Sequence, residues 1–151
     1  MDNFIQQNEK KAVKKIALGS SGVDGRQYQK RAALANYTVD AEKRLVTVTF
    51  RKKVTIAEIE RYAEALRVDP QFEPDFSEIA DMSQVEELDL KADEFIRLAD
   101  EIDPFALNAR RAFVAGNSVQ NHAARMHKLL RSQRNFEIFQ SVEAAERWIR
   151  S

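Results

Sequence analysis

Residues 45–51, LVTVTFR, alternate in character: Val46, Val48 and Phe50 fall on one side of an extended chain and Thr47 and Thr49 on the other. This period of two is that of a strand with one buried face. The run 37–40 precedes it across the polar stretch 41–44, so the pair predicts an antiparallel hairpin. Beyond it the period lengthens. Thr55 and Glu58 have the spacing of a capping box, and Ile56, Ile59, Ala63 and Leu66 recur at helical intervals. The helix should stop at Asp69-Pro70, because the residue before proline avoids helical torsions.

The alternation then repeats. The apolar run 76–82 predicts an interior strand, and Asp89 the N-cap of a helix whose Phe95, Leu98, Ala99 and Ile102 share a face, ending near Asp103-Pro104. Residues 111–115, RAFVA, predict a buried strand closed by Gly116. Asn117 or Ser118 then caps a long helix with Val119, Ala123, Met126 and Leu130 facing inward. A strand over 136–140, a cap at Ser141 and a helix bearing Val142, Ala145, Trp148 and Ile149 complete the chain. The order β-β-α-β-α-β-α-β-α predicts an α/β fold: a central, mostly parallel sheet, begun by an antiparallel hairpin strand and covered by helices.

The first 35 residues have a different texture. Three of the four glycines lie in 19–25, GSSGVDG, a flexible linker by composition. Before it, Lys10, Lys11, Lys14 and Lys15 accompany an imperfect apolar face of Ile5, Ala12, Val13 and Ile16. The expected organisation is a basic extension with a Gly/Ser linker over 1–35 and one folded domain over 36–151.

Composition narrows the function classes. With 151 residues and 44% hydrophobic positions the chain can build a core, and without cysteine it has no thiol nucleophile, thiolate metal site or disulfide. No apolar run approaches the ~20 residues of a membrane helix, and no secretory signal opens the chain, so no membrane span and a cytoplasmic location are expected. The 24 basic and 24 acidic residues cancel overall, but 73–103 holds 2 basic and 12 acidic residues. That segment suits a basic partner. Residues 36–151, with 17 basic and 21 acidic positions, argue against nucleic-acid binding.

Four strings carry a resemblance: YTVDAEKRLVTVTF at 37–50, DFSEIADMSQVEELDL at 75–90, DPFALNARRAFVAGNSVQNHAARM at 103–126 and VEAAERWI at 142–149. Together they resemble the STAS domain, and within it the SpoIIAA-like STAS/SEC14 group of stand-alone bacterial proteins, over about residues 36–151. In regulatory members a kinase phosphorylates a serine just after the third strand. The matching position here is Leu90, within the string from Asp81 to Ala92, and leucine has no hydroxyl to accept phosphate. Ser83 matches an ordinary loop serine.

The chemistry-bearing residues are few. Asp81, Asp89 and Asp103 flank predicted strands and helices and could hold magnesium or move protons, although Asp is also a preferred cap and turn residue. His122 and His127, five apart on one helix, point about 140° from each other and cannot share a metal. His122, beside the inward face, is expected to pack. No nucleophile elbow or glycine-rich phosphate loop occurs, although the helix opening at Gly116-Asn117-Ser118 could bind an anion. Arg125, Lys128, Arg131 and Arg134 form a drifting basic stripe, either solvated or in contact with 73–103, within one molecule or across a homodimer.

The resulting expectation is a non-catalytic, STAS-type regulatory or interaction module, not switched by phosphorylation at the usual position, without metal or cofactor. Its contact residues would be Asp81, Ser83, Asp89, Leu90, Asp93, Gly116, Asn117 and Ser118, and its partner a protein. The alternative, implied by the SEC14 side of the resemblance, is a carrier or sensor of a lipid or apolar small molecule. A hydrolase or lyase using Asp81 or His122 ranks third.

Overall fold

The computed structural model describes residues 35–151; the basic stretch and Gly/Ser linker expected before them lie outside the described residues. Strands β1 (Asn36–Asp40) and β2 (Leu45–Thr49) form the expected antiparallel hairpin, with Thr38 opposite Thr47. Asp40 Oδ1 accepts from the Lys43 amide at 3.0 Å in the turn, and Arg44 closes it in the left-handed region at φ 54°. Next come β3 (Lys53–Thr55), α1 (Ile56–Val68), β4 (Ser77–Asp81), β5 (Glu87–Asp89) and α2 (Ala92–Arg97), which runs on into a π-helical turn, Leu98–Ile102. The chain finishes with β6 (Arg111–Val114), α3 (Ser118–Arg131), β7 (Phe136–Phe139) and α4 (Val142–Arg150).

The main sheet has the order β1-β2-β4-β6-β7, and only the β1 and β2 pair is antiparallel. The predicted α/β class therefore holds, with helices on both faces. One face carries Val46, Val48 and Ala80 against Leu66 of α1, Phe95 of α2 and Ala123 of α3. The other places Ile79, Ala112 and Val114 against Ala145, Trp148 and Ile149 of α4.

Three expectations change. β3 and β5 form a separate two-stranded parallel sheet, with Val54 opposite Leu88. Asp89 thus ends a strand and is not a helix cap; α2 begins after Lys91, whose amide donates to the Glu94 side chain at 2.9 Å. Runs of three residues around one apolar position are too short to show a period. The third change concerns α3, whose buried residues are Gln120, Ala123, Ala124 and His127, while Val119 is exposed and Met126 and Leu130 only partly buried. His122, expected to pack, is exposed, and His127 is the buried histidine. The inward stripe is turned by about one residue because two polar side chains have partners inside the domain.

Candidate functional site

Glu78 and Arg111 are register partners on adjacent strands β4 and β6. The Arg111 Nε and Nη2 atoms both donate to Glu78 Oε1, at 2.9 and 2.8 Å, charge-assisted bonds that converge on one carboxylate oxygen. From α1, the Tyr62 hydroxyl donates to Glu78 Oε2 at 2.8 Å. Arg111 Nη1 donates to Asp103 Oδ2 at 2.8 Å and to Gln133 Oε1 at 3.1 Å. His127 of α3 completes the cluster, with Nε2 at 2.6 Å from the same Asp103 oxygen. Arg131, one helical turn further on, places Nε 3.8 Å from Asp103 Oδ2 and donates through Nη2 to the Phe105 carbonyl at 2.5 Å.

Asp103 reaches this position through the end of α2. Its amide donates to the Leu98 carbonyl at 3.0 Å, five residues back, which is the closure of a π turn. Its Oδ1 accepts from the Phe105 amide at 2.9 Å, the turn role expected of it, while Oδ2 serves the cluster.

The cluster is buried: the side chains of Asp103 and Arg111 are 2% and 4% exposed. Phe105 and Phe113 lie under the guanidinium, with ring centres 4.4 and 5.9 Å from its carbon. Burial alone would raise the Asp103 pKa, but Arg111, the His127 hydrogen bond and Arg131 outweigh it and hold the carboxyl far below the usual range. Burial would likewise deprotonate Arg111 more easily, yet Asp103 and Glu78 push its pKa up instead. The Tyr62 phenol is raised well above its ordinary value, first by burial and then by Glu78.

Beside the cluster lies a cavity of about 80 Å³, bounded by the sheet, α1, α2, α3 and the short β3 and β5 pair. Its walls are mostly apolar, among them Phe50, Ala63, Met82, Phe95 and Ala123, and its polar wall is Tyr62, Glu78, Asp103, Arg111 and His127. Ile59, Leu88, Leu90 and Leu98 also line it and are half-buried, marking where it meets solvent.

The eight residues singled out from the sequence fall into two groups. Asp81, Ser83, Gly116, Asn117 and Ser118 lie at the carboxyl ends of β4 and β6, where Asp81 Oδ1 accepts from the Ser83 amide at 2.9 Å and Asn117 caps α3 through the Gln120 amide at 2.9 Å. Gln120 joins the two loops: its Oε1 accepts from the Gly116 amide at 2.7 Å, and its Nε2 donates to the Ser83 and Val85 carbonyls at 3.3 and 2.8 Å. Asp89 and Asp93 stand exposed on β5 and α2. Leu90, where the resemblance would put the phosphoacceptor, is half-buried and turned to the cavity. Of the basic stripe, Arg131 meets the acidic segment within the molecule, whereas Arg125 and Arg134 are exposed.

Tyr62, Glu78, Arg111 and Gln133 are not among the residues singled out from the sequence, and His127 is weighed there only as a metal partner of His122. A signal existed for two of them: Glu78 interrupts an apolar run and Arg111 opens another, and both runs read as interior strands. Charges at such positions are almost never buried without partners. Among the described residues, no group of three or more acidic or histidine side chains is placed to hold a metal ion. Nor is any described helix long and apolar enough to cross a membrane.

Fold and site together define an α/β domain with a mixed sheet, a buried ion-pair cluster and a small apolar cavity beside it. Comparison with family models, curated proteins and solved structures gives no match.

Proposed function

We propose that the domain is a non-catalytic interaction module of the STAS type, with the loops after β4 and β6 as its contact surface. Gln120 carries this reading. One buried side chain spans both loops, so Ser83, Gln84, Gly116, Asn117, Ser118 and Val119 are exposed on a surface already ordered. Such preorganisation lowers the entropic cost of binding, and the carboxyl ends of parallel strands are the customary place for recognition in open α/β sheets. Exposed Glu86, Asp89 and Asp93 follow the first loop in sequence and favour a partner with a basic face. With Leu90 at the resembling position, this surface works without a phosphorylation switch there.

The test is photo-crosslinking in cells, with the reactive group placed at Ser83 or Asn117 and, as a control, at exposed Glu143 on α4. A discrete protein adduct from the loop positions alone is expected. Absence of an adduct together with a measurable turnover would overturn the reading.

A second reading, a sensor or carrier of an apolar small molecule, is supported by the cavity. Its volume of about 80 Å³ is well below the roughly 300–1,000 Å³ of sites for drug-sized ligands. A ligand held inside is therefore a few heavy atoms, or the end of a longer chain. Native mass spectrometry of the purified protein should show a small adduct that organic extraction removes; a protein that carries no adduct and gains no stability from any short apolar compound would refute it.

A further inference from the structure

The polar wall of the cavity is satisfied with one exception. Tyr62, Glu78, Asp103 and Arg111 each have hydrogen-bond partners within the cluster, whereas His127 Nδ1 is buried without one. His127 lines the cavity with its side chain only 7% exposed. A carboxylate oxygen 2.6 Å from Nε2 fits a proton on that nitrogen, and in the Nε2–H tautomer Nδ1 is a lone-pair acceptor. The charges around it already cancel, Glu78 and Asp103 against Arg111 and Arg131. The cavity therefore has mostly apolar walls, carboxylates already balanced by guanidinium groups, and one unmet ring nitrogen.

An unmet buried acceptor is costly, so something should meet it. Water would meet this atom but not the rest of the lining, which is mostly apolar side chains. A molecule with a single donor and an apolar remainder matches every wall.

We infer that the cavity is a binding site for a small neutral amphiphile, a short alkyl body bearing one hydroxyl, whose O–H donates to His127 Nδ1 while its carbons contact Phe50, Phe95, Leu88 and Leu90. This rests on the second reading above and adds the polar group that the ligand must carry. The half-buried leucines form the entrance, and the cluster behind His127 holds the ring in its orientation. Leu90, a position that cannot accept phosphate, thus has a different part: it is the cavity's rim.

The experiment compares two isomers of equal size, 1-butanol and methyl propyl ether, titrated into the full chain by NMR. The readouts are the ¹⁵N shift of His127 Nδ1 and the methyl shifts of Leu88 and Leu90. Saturable binding of the alcohol with movement of the Nδ1 resonance is expected, with the ether weaker by about tenfold, the worth of one neutral hydrogen bond. Leu90→Trp, which fills the rim, should abolish both responses in a protein whose remaining spectrum is unchanged. Equal binding of the two isomers would overturn the hydrogen-bond assignment while leaving the apolar-ligand reading in place. No saturable binding of either, or saturation that survives Leu90→Trp, would overturn the site itself.

Discussion

Arg111 grips Glu78 through two guanidinium nitrogens, at 2.8 and 2.9 Å, across neighbouring strands at a depth where the two side chains are 4% and 3% exposed. The same guanidinium also holds Asp103. One cation therefore neutralises two interior carboxylates with help from Arg131, and that dependence governs how the domain responds to substitution and to acid.

Arg111→Met keeps much of the side-chain volume but leaves Glu78 and Asp103 buried without their shared cation. Removing one partner of a buried pair costs about 3–5 kcal/mol, a large part of the ~5–15 kcal/mol by which domains are stable. Urea denaturation should show a midpoint lowered to match, or a chain that no longer folds cooperatively.

Acid should destabilise the protein through Asp103. Its carboxyl takes a proton at ordinary pH values in the unfolded chain but only at far lower pH in the folded one, because burial is outweighed by Arg111, His127 and Arg131. The unfolded state therefore binds more protons as the pH falls. The stabilisation, complete above the unfolded value, declines from about pH 5 downward. Asp103→Asn should lower the melting temperature at pH 7 and flatten its fall between pH 5 and 3; an unchanged slope would contradict the assignment.

Tyr62→Phe deletes one hydroxyl and leaves Glu78 Oε2 without its donor at 2.8 Å. The expected loss is about 1–3 kcal/mol, the cost of an unsatisfied buried acceptor. Since the ring still packs at 5.8 and 5.9 Å from Tyr37 and Phe50, chemical denaturation should show this loss without a change in the dependence on denaturant.

Gln120→Ala separates the two loops after β4 and β6. The Gly116 amide loses its acceptor at 2.7 Å and the Val85 carbonyl its donor at 2.8 Å. Hydrogen exchange should accelerate at Gly116, and global stability should fall by about 1–3 kcal/mol. If the loops are the contact surface, the crosslink from Asn117 weakens in this variant as well.

The α/β class, the hairpin and the succession of long elements were legible because they depend on short-range rules. Period two at Val46, Val48 and Phe50, the Thr55 cap, the Asn117 and Ser141 caps and the stop at Asp69-Pro70 each rest on groups within a few residues. The loops at 81–83 and 116–118 were legible for the same reason, since strand ends and helix caps mark them. The short β3 and β5 pair was not: three residues carry too little pattern, and its pairing joins Val54 to Leu88 across 34 positions.

The cluster lay further out of reach. Glu78 and Arg111 are 33 positions apart, and Asp103 and His127 are 24 apart. Nothing local distinguishes an aspartate that only turns the chain from one that also receives an arginine and a histidine. The inward face of α3 depends on this too, because helical periodicity ranks apolar residues inward and cannot anticipate that Gln120 and His127 find partners on other elements. Local backbone preference and hydrophobic period thus settled the elements and their order. Which charges could be buried was decided only when the parallel strands set Glu78 beside Arg111 and the π turn carried Asp103 to meet them, since a buried charge is tolerable only where distant segments bring its counter-charge.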